Sequence, residues 1–216
     1  MNRTTFLVDG FNLYHSIKQA SRDNKNAQTK WLDLKSLCSS YLYIVGQRTG
    51  QKATLEGIHF FSAIVDHLVT AANPNIVNRQ KLYIRCLEDS GIEVELGRFK
   101  RKYITCHVCG AANQHHEEKE TDVAIGARLL ELFINNKCDS VVIITGDTDI
   151  AAAAKITKNI YPTKHILFGF PYARKNSELA KLASSFTITD EAYIKHQFAD
   201  PVTLKNGKSI HKPAKW

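Results

Sequence analysis

No apolar run in the 216 residues is long enough to cross a bilayer. The start of the chain also lacks a signal peptide's apolar centre, because Asp9 and Asn12 interrupt it. Both absences lead to the expectation of a cytoplasmic protein with no membrane partner. Internal repeats and low-complexity segments are missing as well. The five cysteines are an odd number without secretory context, so free thiols or metal ligation are expected rather than a disulfide framework. A chain of this length buries a core without staples and forms one domain, with room for a modest appendage.

What is present is an excess of positive charge, 29 Lys and Arg against 21 Asp and Glu, a net of +8. If several acids gather at one site, the remaining surface is more basic than that sum implies, which suits a polyanionic partner. Scattered, solvated lysines give the same sum. Arg98, Lys100, Arg101 and Lys102 alternate with Phe99 and Tyr103, a composition used for phosphate contact and base stacking. A charge-protected edge hairpin has the same composition.

The acids follow a pattern. Val141 to Ile144 is a short β-branched run without alternation, the mark of a central parallel strand. Thr145-Gly146 breaks it, Asp147-Thr148-Asp149 follows, and an Ala-rich helix begins at Ile150. A helix has one N-cap, so capping accounts for only one of these two Asp. The N-terminus repeats the arrangement: Thr4 to Asp9 reads as a buried strand ending in a carboxylate, and Gly10-Phe-Asn12 turns into a helix. Sites in open parallel sheets form outside the carboxyl ends of strands, so Asp9 and Asp147 are expected at one rim. A third acid, Asp122, opens the most periodic helix, four residues before Gly126 and on its inward stripe. Val123, Ala127, Leu130 and Ile134 form one apolar row, and Gly126, Leu129 and Phe133 the next. Thr121 can cap this helix. Glu118 can join the site if the helix starts early; otherwise it is a solvated acid. Asp66 ends a second strand, Gly57 to Val65, as a further acid at a strand end.

Phe6-Leu-Val-Asp-Gly-Phe-Asn12, Glu118-Lys-Glu-Thr-Asp-Val-Ala-Ile125 and Thr145-Gly-Asp-Thr-Asp149 resemble the three motifs of the NYN family of PIN-like ribonucleases. The resemblance runs from about Thr4 to Thr189. Thr145 stands where the family usually has Ser and keeps the hydroxyl. The order of elements gives an α/β fold with a mainly parallel central sheet and right-handed crossovers; the resemblance implies a PIN-like three-layer α/β/α sandwich over residues 1–199. Residues 200–216, with four lysines and two prolines, read as an irregular basic tail.

The resemblance implies a metal-dependent ribonuclease. Asp9, Asp122, Asp147 and Asp149, all hard oxygen donors, would hold Mg²⁺ or Mn²⁺, and Asn12 would orient the attacking water or a phosphate oxygen; its other reading is an N-cap. The partner expected is single-stranded or structured RNA. A DNA-directed nuclease and a non-catalytic RNA-binding module are the alternatives, and the oligomeric state, homodimer included, stays open. Separately, Cys106-His-Val-Cys109-Gly110 followed by His115-His116 has half of a zinc knuckle. Cys106, Cys109, His115 and His116 would hold a structural Zn²⁺ within an insertion at 103–117, with His59, His67, Cys86 or His107 as further donors. Unligated thiols in a hairpin loop are the other reading.

Overall fold

The computed structural model describes residues 1–105, 109–110 and 112–214, with backbone alone at 113–115. In chain order the main elements are β1 (Asn2–Asp9), α1 (Gly10–Asp23), α2 (Leu34–Ser40), α3 (Leu42–Thr49), β2 (Ala53–Ala63), α4 (Ile76–Asp89) and β3 (Glu93–Thr105). There follow β4 (Ala112–Lys119), α5 (Thr121–Ile134), β5 (Ser140–Ile144), α6 (Ala151–Ile160), β6 (His165–Phe170), α7 (Ser177–Leu182), β7 (Ser184–Thr187) and α8 (Asp190–Lys195). A two-stranded ribbon, β8 (Val202–Thr203) and β9 (Ser209–Ile210), closes the chain.

Seven strands form one sheet in the order β4-β3-β2-β1-β5-β6-β7. Every neighbouring pair is parallel except the β3–β4 hairpin. The alternation of β1 sorts its side chains between two cores. Phe6 and Val8 pack with Leu13, Ile17, Leu34, Leu37, Val45 and Leu87 on one face. Leu7 packs with Ile125, Leu129, Phe133, Ala154 and Leu179 on the other. Helices on both faces of a mostly parallel sheet make the expected α/β/α sandwich, and β1, buried except at Arg3, and β5, fully buried, lie side by side at its centre.

Four local expectations are corrected. The spacing of Leu34, Leu37, Tyr41 and Ile44 reads as one helix over Trp31 to Ile44, but the segment forms two short helices: Asp33 caps α2 through Ser36 N–H, and Tyr41 separates it from α3. Trp31 precedes both and is buried. In α5 the row of Val123, Ala127 and Ile134 faces solvent, with Val123 77% and Ile134 64% exposed. The buried stripe is instead Ile125, Gly126, Leu129, Leu132 and Phe133. Thr121 does not cap α5; Glu120 occupies the cap in a left-handed conformation, φ 81°, and the Thr121 hydroxyl turns to the Glu118 carboxylate. The basic tail is structured through β8 and β9: Leu204 and Ile210 are buried in one apolar cluster with Trp31 and Cys86.

Candidate active site

The register of β1 against β5, with Val8 opposite Ile144, brings Asp9 and the Thr145-Gly146-Asp147 turn together. Asp9 is buried and caps α1, accepting the Asn12 backbone N–H at 3.0 Å. The second Asp9 oxygen accepts the Thr145 hydroxyl at 2.8 Å. Asn12 is therefore not the cap. Its side-chain oxygen accepts the Gly146 N–H at 3.0 Å, tying α1 to the turn after β5. Asn176 holds the same turn from the other side, donating to the Gly146 carbonyl at 3.2 Å. Gly146 has no room for a Cβ, which would fall against the Arg174 carbonyl.

Asp147 receives the Asp149 N–H at 3.1 Å, so one carboxylate of the pair does cap the short 3₁₀ turn before α6. Both Asp147 and Asp149 are exposed. Asp122, in the first turn of α5, is half-buried beside them.

Asp9, Asn12, Asp122 and Asp147 line one cleft of about 260 Å³ with Phe11, His15, Glu118, Glu120, Thr121 and Arg174. Asp149 stands outside its lining but within electrostatic reach of Asp122. Asp66, largely exposed, bonds His67 N–H and does not line the cleft. His15 and Arg174 were not anticipated. His15 lies one helical turn after Asn12, a spacing that carried the signal, whereas Arg174 comes from the β6–α7 loop and nothing local marks it.

The electrostatics follow from packing acids together. Burial pushes the Asp9 carboxyl up against the pull of its Asn12 and Thr145 hydrogen bonds. Burial, then the charges of Asp9, Asp147 and Asp149, push Asp122 up to about 6. Burial also raises Glu118 to about 7, with Asp9 and Asp122 adding to the shift and the Thr121 hydrogen bond opposing it. Glu118 is thus a member of the cleft rather than a solvated acid. Burial, Arg174 and Lys18 lower His15 below its ordinary value. Crowded carboxylates of this kind are relieved by proton sharing or by a cation, and a set of oxygen donors fits Mg²⁺ or Mn²⁺. Among the described residues, no three acidic, His or Cys side chains are grouped closely enough to hold one ion in the present arrangement.

Of the expected zinc set, Cys106 lies outside the described residues, as do His107 and the side chain of His115. Cys109 is exposed and free, and His116 stacks on His67 at 4.4 Å. Cys86 is buried, its thiol raised to about 11 by burial, and packs in the Trp31 cluster. Arg98, Lys100, Arg101 and Lys102 lie on the part of β3 that pairs only with β4.

A mostly parallel seven-stranded sheet flanked by helices is consistent with a PIN-like fold. The NYN domain model matches residues 3–190, and the chain belongs to the NYN domain family, a PIN-like nuclease family whose members generally use divalent metals. It is 25% identical over 179 residues to 6-hydroxy-3-succinoylpyridine 3-monooxygenase HspA of Pseudomonas putida. That alignment takes in 72% of this chain and 55% of the relative, so the chain spans about half the relative's length. A crystallised protein of unknown function from Vibrio parahaemolyticus has the same fold, with a TM-score of 0.55 at 18% identity over 88% of this chain and 94% of that one. Among the described residues, no helix is long and apolar enough to cross a membrane.

Proposed function

We propose that the chain is a divalent-metal-dependent ribonuclease, with Asp9, Asp122, Asp147 and Asp149 as the ion's ligands. The observation that carries this reading is the convergence on one cleft of acids from the ends of β1, β4 and β5 and the start of α5, at the cost of raised proton affinities in Asp122 and Glu118. Residues serving the fold alone would not be arranged to repel one another beside solvent. A bound Mg²⁺ or Mn²⁺ supplies a water of lowered pKa and neutralises charge on the phosphate.

The protein's own groups do the rest. Asn12, fixed by Gly146 N–H, orients the water or a phosphate oxygen. Arg174, the one Arg or Lys among the described residues of the cleft lining, would contact a phosphate of the substrate and offset the field of the acids. Water attacks phosphorus and gives up one proton to bulk solvent, one phosphodiester P–O bond breaks, and the leaving oxygen takes a proton. Glu118, whose carboxyl titrates near neutrality, is suited to give it.

The test is incubation with labelled single-stranded RNA, and with DNA of the same sequence, in Mn²⁺, in Mg²⁺ and in EDTA. RNA cleavage that needs the ion supports the reading, and preferential cleavage of DNA replaces its substrate. RNA bound but intact in every ion makes the chain a binding module. Turnover of 6-hydroxy-3-succinoylpyridine with RNA left intact would assign it the activity in the name of the P. putida relative.

A further inference from the structure

The β3–β4 hairpin has two faces of opposite character. β3 pairs with β2 only from Glu93 to Gly97, opposite His59 to Ala63. Beyond Gly97 it continues in the direction of β1, past the strand ends that carry the acids. The paired segments from Arg98 to Thr105 and from Ala112 to Lys119 thus form an arm roughly 27 Å long. Strand alternation and register put Arg98, Lys100, Lys102, Glu117 and Lys119 on one face. On that face Lys102 and Lys119 share Glu117 and Arg98 pairs with Glu120, while Lys100 makes no ion pair among the described residues.

The other face carries Phe99, Arg101, Tyr103, His116 and Glu118, and Glu118 is itself part of the cleft. A continuous row of rings leads outward from there. Phe11 in the cleft meets Phe99 edge-on at 5.4 Å. Phe99 contacts His67 at 4.2 Å, and His67 stacks on His116 at 4.4 Å with planes 20° apart. Burial, then His116, lower the His67 pKa below its ordinary value. Further along the same face Tyr103 is 65% exposed. Arg101 is exposed and makes no ion pair among the described residues.

We propose that this face of the hairpin is a track for single-stranded RNA leading into the acidic cleft, with Phe11, His116 and Tyr103 offering ring surfaces to successive bases and Arg101 contacting the phosphates. The proposal rests on the nuclease reading. It adds that the substrate strand must be unpaired along this arm, because only an unpaired strand presents base faces to rings. The rings single out this face: Phe99, Tyr103 and His116 share it with the unpaired Arg101, whereas the described side chains of the opposite face carry no ring.

Binding is measured in EDTA, so that the outcome does not depend on cleavage, by fluorescence anisotropy with a labelled twelve-residue oligouridylate. Its duplex with oligoadenylate and the corresponding oligothymidylate are the comparisons. Tyr103→Ala and Arg101→Ala should each weaken oligouridylate binding by about tenfold, with unchanged far-UV circular dichroism, and Lys119→Ala, on the opposite face and already paired with Glu117, should change it by less than about twofold. The duplex should bind more weakly than the single strand. Unchanged affinity in both Tyr103→Ala and Arg101→Ala, or a preference for the duplex, overturns the track. Equal binding of oligothymidylate overturns its assignment to RNA. Loss of cleavage with the expected binding pattern would count against the nuclease reading alone.

Discussion

The Thr145 hydroxyl donates to the buried Asp9 carboxylate at 2.8 Å while accepting the Asp147 backbone N–H at 3.0 Å. One side chain thus links the acid of β1 to the acid pair beyond β5. Thr145→Val keeps the shape and removes both bonds, leaving a buried carboxylate oxygen and an N–H unpaired. The expected cost is about 1–3 kcal/mol of stability, read as the urea midpoint, together with loss of cleavage. Thr145→Ser, which restores the hydroxyl, should recover both. An undamaged Thr145→Val beside a damaged Thr145→Ser would point to the methyl group instead.

Stability in the absence of divalent ions should fall as pH rises through the neutral range. Asp122 and Glu118 have folded-state values of about 6 and 7, above their ordinary 3.8 and 4.5. An acid raised by folding contributes stability that is fully present below its unfolded value and lost as pH rises through its folded value. Thermal melts in EDTA between pH 4 and pH 8 should show this decline, and Asp122→Asn should flatten it. Added Mn²⁺ should raise the melting temperature most at the upper end of that range. A melting temperature that climbs steadily over the same interval would contradict the crowding of acids in the cleft.

Gly146→Ala should uncouple the cleft from its Arg174 loop. The new Cβ meets the Arg174 carbonyl, so either the turn or the loop must move. Cleavage should fall at least about tenfold, in line with the sensitivity of catalysis to small displacements. The far-UV spectrum should stay native. Wild-type activity in this variant would show that Arg174 and the Gly146 turn need not keep their mutual position.

Asp139→Asn tests a contact remote from the chemistry. Arg3 bonds both Asp139 oxygens, at 3.0 and 3.1 Å, and fastens the start of β1 to the entry of β5. Those bonds hold the Asp139 carboxyl well below the usual carboxylate range. A depressed acid stabilises the fold above its ordinary 3.8 and ceases to do so as pH falls through its folded value. The variant should therefore unfold at lower urea than wild type at pH 7, with the gap narrowing in strong acid and cleavage unchanged. A gap that widens in acid would reverse the sign assigned to this pair.

The strand-end acids were legible because two local signals coincide, a β-branched run without alternation and a carboxylate at the break. Asp122 was legible from its spacing to Gly126, since the three-to-four residue period of a helix fixes which residues share a stripe. The same period did not say which of two adjacent apolar rows of α5 is buried. Packing against α6 and β1 decides that, and it leaves Val123 and Ile134 in solvent. Trp31 satisfied a helical pattern yet belongs to a loop, because Asp33 caps the helix two residues later. Arg174 and the burial of Leu204 and Ile210 depend on contacts between segments distant in the chain, and no local window holds them.

The most direct measurement is Mn²⁺-dependent cleavage of one labelled single-stranded RNA by the wild-type chain and by Asp122→Asn and Asp147→Asn, each at a matched folded fraction. Both variants should keep the native circular dichroism spectrum, because removing a charge from crowded acids relieves repulsion, and both should lose cleavage by about a hundredfold or more. Folded variants that cut RNA as fast as wild type would contradict the assignment of these carboxylates to the chemistry.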